Sequence, residues 1–100
     1  MDCKQSTVGE THTANFSGRF TFSDNVVFRE LLGVFSKPEV KTLVIEMSGV
    51  EFIDSAGLGM LLVAKDEADK RGKALVIKGP QGHVKKLFEA SRFYNILRIE

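Results

Sequence analysis

The 100-residue sequence holds one cysteine, two prolines, one tyrosine and no tryptophan. A single cysteine, Cys3, excludes an intrachain disulfide framework and a cysteine-built metal cluster. The two histidines, His12 and His83, are distant and lack the HxxxH or HxE spacing that sets ligands on one helix face, so no metal site is expected. Neither sign of charge dominates: 14 Lys and Arg against 13 Asp and Glu give a net charge of +1. That balance lacks the electrostatic footprint of nucleic-acid binding, and direct contact with DNA or RNA is not expected. No apolar run approaches the roughly 20 residues that cross a bilayer, and Met1–Ser6 lacks the basic start and apolar core of a signal peptide. The expectation is a cytoplasmic protein with no membrane insertion. What is there is a 43% apolar complement, enough for one core and too little for two, so residues 1–100 read as one domain.

Gly9-Glu10 punctuates two short strands, Lys4–Val8 and Thr11–Ser17, and suggests an N-terminal hairpin. Ser17-Gly18-Arg19 then breaks the pattern. Ser23 is a candidate N-cap for a helix from about Asp24 to Phe35, burying Val27, Phe28, Leu31 and Phe35. Leu43–Met47 reads as a central strand whose near-continuous apolarity argues for cover on both faces. A helix over Ser55–Arg71 follows, ended by Gly72. Ala74–Ile77 is a second buried strand, Gln81–Ser91 a helix with Val84, Leu87 and Phe88 inward, and Asn95–Ile99 a short edge strand. Strand–helix–strand passages imply parallel neighbours and right-handed crossovers. The predicted fold is α/β, a small mixed β-sheet with an N-terminal hairpin followed by βαβα units.

The most informative stretch runs from Val50 to Leu62, where Ser55 ends an apolar run and opens a helix. Unpaired backbone N–H groups and the positive end of the macrodipole meet there, so the hydroxyl either caps the helix or, phosphorylated, becomes a held dianion. Asp54 or Ser55 is the candidate cap. Gly57, Leu58, Leu61, Ala64 and Ala68 form a core stripe. The opposite side carries Gly59, Met60, Val63, Asp66, Glu67 and Lys70, apolar in its first turns and charged in its last. Met60 and Val63 beside Ser55 suit a partner surface, with Glu67 one turn further on, unless a loop of the same domain covers the two apolar side chains. Gly57 and Gly59 each cost about 1 kcal/mol relative to alanine, which calls for a close approach, either of the chain's own backbone or of a modifying enzyme.

Asp54-Ser55-Ala56-Gly57-Leu58-Gly59 resembles the Asp-Ser-(Ala/Ser/Thr)-Gly-Leu-Gly motif of STAS domains, the anti-sigma factor antagonists. The likeness extends through Ser17–Arg19, Leu43–Met47, Val50-x-Phe52-Ile53, Gly72-Lys73-Ala74-Leu75 and Val84-x-x-Leu87-Phe88, covering about residues 11 to 99. Family members often carry Leu-Asp soon after the glycine turn, where this chain has Phe20-Thr21-Phe22-Ser23-Asp24. The resemblance implies that Ser55 is a phosphoacceptor, with Asp54, Ala56, Gly57 and Gly59 around it. It further implies an anti-sigma factor or switch-type serine/threonine kinase as partner, and a PP2C-like phosphatase for reset. A phosphate there adds about −1.5 to −2 charges. At about 4 Å from Asp54, repulsion of up to about 4 kcal/mol at an effective dielectric of 20 exceeds the dipole's help of about 0.3–1 kcal/mol. The phosphate is therefore expected to turn outward, toward a partner.

STAS domains also occur in lipid or anion transport complexes as non-catalytic interaction modules, often without a usable serine at the motif. A serine hydrolase built from Ser55, Asp54 and His83 lacks a G-x-S-x-G elbow, so no enzyme is expected. Gly57-x-Gly59-x-x-Leu62 lacks the third glycine of a dinucleotide fingerprint, and no cofactor is expected.

Overall fold

Gly9, at φ +60°, lets the chain reverse in two residues, and β1 (Asp2–Val8) pairs antiparallel with β2 (Thr11–Phe20) from Asp2↔Ser17 to Val8↔Thr11. The computed structural model describes residues 1–100. The break expected at Ser17–Arg19 does not end β2. Gly18, at φ +88°, bends the strand without releasing it, and the ladder to β3 (Thr42–Ile53) shifts register between Asn15 and Ser17 and again between Gly18 and Arg19. Each shift gives β3 one residue more than β2. β3 therefore runs to Ile53 instead of stopping at Met47, and carries the chain directly to Asp54.

The helix expected from a Ser23 cap begins differently. Thr21 is the turning residue: its N–H donates to the Asp24 carboxylate at 2.9 Å, and the Asp24 N–H donates back to its carbonyl at 3.0 Å. A 3-10 turn (Phe22–Asp24) leads into α1 (Asn25–Leu32), and a second (Gly33–Ser36) ends it. These turns advance about 120° per residue instead of 100°, which shifts the phase. Phe28, Leu31 and Phe35 are buried as expected, but Val34 replaces Val27, which is 44% exposed.

α2 (Ser55–Lys70), β4 (Ala74–Lys78) and α3 (Gly82–Ala90) follow the predicted boundaries within a residue, apart from Leu87, which is only half-buried. Gly72, at φ +65°, reverses the chain after α2. The last strand is shorter than expected: Phe93–Asn95 forms a 3-10 turn and only Arg98–Ile99 pair, as β5.

The strands lie in the order β1-β2-β3-β4-β5, parallel from β2 onward. Each crossover steps in the same direction, so right-handed connections bring α1, α2 and α3 to one face. All three contribute to a single core with Phe16, Leu43, Ile45, Met47, Leu75 and Ile77. Val44 and Val76, paired with each other, are buried but lie outside that core. Successive side chains alternate faces, so these two point to the side without helices. The near-continuous apolarity of Leu43–Met47 thus reflects one helix-covered face, with neighbouring strands shielding Val44, and the expected cover on both faces is corrected.

Candidate functional site

The sequence after β3 makes the site. Asp54 leaves the strand with extended backbone and caps α2: its Oδ1 accepts from the Gly57 N–H at 2.7 Å. Its Oδ2 accepts from the Phe22 N–H at 3.3 Å, and the Asp54 N–H donates to the Phe20 carbonyl at 3.4 Å. One carboxylate thus ties the start of α2 to the turn entering α1. Because Asp54 holds the cap, Ser55 is released from that duty and is exposed at the first helical position.

The two glycines play different parts. A Cβ on Gly57 would lie 2.7 Å from Ile53 Cγ1 and 2.8 Å from the Phe20 carbonyl oxygen, so helix and sheet approach too closely for a side chain. A Cβ on Gly59 would meet nothing within 4 Å. Gly59 instead lines a groove of about 400 Å³ between α1 and α2, with Ala56, Met60 and Val63 from α2 and Phe22, Asn25, Phe28, Arg29 and Leu32 from the α1 side. Met60 is half-buried against the core, and Val63 is 58% exposed. No loop covers them; the groove is open beside Ser55. Glu67, half-buried one turn past Val63, lies outside the groove lining.

Reasoning from α2 alone missed the α1 wall. Asn25, Arg29 and Leu32 recur every three or four residues along α1 beside its buried Phe28, with Phe22 three residues earlier in the 3-10 turn. That spacing was the available signal; in the structure Phe22 stands 67% exposed.

His83 does not join Ser55. Its ring stacks on Phe52 at 5.6 Å between centroids, while the Arg19 guanidinium sits 4.1 Å over the same Phe52 ring. No hydrogen bond links His83 to Asp54, whose carboxylate oxygens are held by backbone N–H groups. Burial pushes the Cys3 thiol above its ordinary pKa, the opposite of an activated thiolate. No helix is long and apolar enough to cross a membrane.

A mixed sheet with helices on one face, and a carboxylate-capped helix that opens on an exposed serine, are the features of a domain of the STAS class. The chain belongs to the STAS family: the family model described as "Mlab, STAS domain" matches residues 3–98. It is similar to a STAS-domain containing protein of Pseudomonas aeruginosa (strain UCBPP-PA14), 25% identical over 93 residues, spanning 91% of this chain and 89% of that protein. Among solved structures, the anti-sigma factor antagonist SpoIIAA in its unphosphorylated form shares the fold with a TM-score of 0.76 and 17% identity, over 99% of this chain and 87% of that one. A putative anti-sigma factor antagonist of Thermotoga maritima reaches 0.86 at 16% identity, over 97% and 84%. A sulfate transporter family protein of Wolinella succinogenes reaches 0.74 at 23% identity, over 90% and 75%.

Proposed function

We propose that the protein is an anti-sigma factor antagonist that works as a phosphorylatable partner switch. Unphosphorylated, it binds an anti-sigma factor or switch-type serine kinase across the start of α2. Phosphorylation of Ser55 ends that contact, and a PP2C-like phosphatase resets it. The observation that carries this reading is the division of labour at the helix start: Asp54 caps, and Ser55 stands exposed beside an open apolar groove. The motif likeness and the fold shared with unphosphorylated and phosphorylated SpoIIAA support it.

The mechanism is local. No histidine or lysine neighbours Ser55 in sequence and the Asp54 carboxylate is held by backbone N–H groups, so Ser55 acts as substrate; the kinase supplies nucleotide, metal and base. Both Asp54 oxygens are committed to N–H groups and the carboxylate stays in place, so a new dianion next to it is repelled outward over the groove. A partner surface seated there then faces an uncompensated charge. Each 1.4 kcal/mol lost is about tenfold in affinity, and the fold itself is untouched. Binding of the anti-sigma partner to wild type, Ser55→Ala and Ser55→Asp tests this: Ser55→Ala is expected to bind like wild type and Ser55→Asp about tenfold or more weaker. Equal affinities for all three contradict it.

A second reading, a non-catalytic STAS module of a lipid or anion transport complex, is favoured by fold likeness to a sulfate transporter family protein and to an anion transporter. Stoichiometric co-purification with an ATPase subunit, insensitive to Ser55→Asp, is its expected signature.

A further inference from the structure

The groove has a chemistry of its own. Its α2 wall repeats at Ala56, Met60 and Val63, and the facing wall at Asn25, Arg29 and Leu32 of α1 with Phe22 in the 3-10 turn before it, so both walls recur at about one helical turn. An occupant whose anchors recur at the same spacing, an amphipathic helix, matches that geometry. Apolar exposure also runs past the groove, with Val26 60% and Leu62 38% exposed on the same two helices. That extent suits a macromolecular surface better than a small ligand confined to about 400 Å³.

Arg29 is the single charged residue among the nine that line the groove. The four ion pairs of the chain join Met1 to Asp24, Lys65 to Asp69, Lys70 to Asp66 and Arg98 to Glu100, leaving Arg29 unpaired. Arg29 is exposed at the edge of these largely apolar walls, where a guanidinium without an ion-pair partner favours a carboxylate over a cation.

We propose that the α1–α2 groove docks an amphipathic helical segment of the partner whose apolar side chains seat between Phe22 and Val63 and whose carboxylate pairs with Arg29. This rests on the switch reading above and explains the sign of the switch. An acidic segment is drawn by Arg29 and repelled by a phosphate on Ser55, whose neighbour Ala56 lines the same groove. Gly59, with open space where a side chain would stand, leaves the way from Ser55 to the groove clear.

The test places a photo-crosslinking benzoylphenylalanine at position 63 in the full chain, in its native cells, with position 4 on the outer strand as control. The cross-linked peptide is sequenced, synthesised, and titrated against the protein. The expected result is an amphipathic segment with Asp or Glu within one turn of the cross-link. Arg29→Glu should weaken it about tenfold or more, and replacing that acid by Lys should restore binding to Arg29→Glu. A peptide without a carboxylate, affinity unchanged by Arg29→Glu, cross-linking to a second copy of this chain, or no cross-link above the position 4 control overturns the proposal. If Ser55→Asp abolishes binding while Arg29→Glu leaves it intact, the docking inference fails and the switch stands. If the charge swap works and Ser55→Asp has no effect, the switch fails instead.

Discussion

Gly57 and Gly59 stand two residues apart in one helical turn, and substitution should separate them. Gly57→Ala forces a Cβ to within 3 Å of Ile53 and of the Phe20 carbonyl, one of them backbone, and should cost about 1–3 kcal/mol. Gly59→Ala meets open space and removes a helix-interior glycine, so a gain of about 0.5–1 kcal/mol is expected in urea unfolding. A matched loss at both positions contradicts the packing described here. Asp54→Ala removes the cap and the tie to Phe22 and should lower stability by about 1–2 kcal/mol, whereas Ser55→Ala, freed of capping, should stay within about 0.5 kcal/mol of wild type. Thermal or urea denaturation of the two variants side by side decides which residue caps.

At the scale of elements, the β1–β2 hairpin carries its own pH dependence. His12 is buried between Thr7 Oγ1 at 2.6 Å from Nδ1 and Gln5 Oε1 at 2.8 Å from Nε2. Burial first, and the charge of Lys37 second, lower its pKa from the ordinary 6.5. Between that value and the lower folded one, the unfolded chain binds more protons, so stability is retained above about pH 6.5 and falls as the solution is acidified through that window. His12→Gln should flatten the slope there; an unchanged slope means another group sets it. The elements also show where sequence pattern reached and where it stopped. α2 and β4 were legible because an N-terminal Asp-Ser, a C-terminal glycine and clean periodicity all agreed. The upper half of β3 and the end of β2 were not, because extra residues of β3 within Glu46–Gly49 and Val50–Phe52, and the Gly18 bend in β2, disguise a continuous ladder as a loop. Val27 was misplaced because, about 100° round α1 from Phe28, it stands at the edge of the stripe that Phe28 and Leu31 bury.

For the whole molecule, the one-sided arrangement has a functional consequence. With three helices over one face and both β2 and β3 ending at the same edge, the starts of α1 and α2 meet, and Asp54 bonds them. The exposed serine and one wall of the groove were readable from residues 54 to 63 alone. The other wall was not, since only the β2–α1–β3 crossover brings Phe22 and Arg29 alongside α2. The proposed switch therefore rests on charge at Ser55 acting on that shared surface. The most direct measurement compares the affinity of stoichiometrically Ser55-phosphorylated and unphosphorylated protein for the proposed anti-sigma partner, with the melting temperature of each form recorded alongside. Affinity about tenfold or more weaker on phosphorylation, with the melting temperature shifted by no more than about 2–4 °C, is predicted. Equal affinity, or loss of binding that tracks loss of the fold, contradicts it.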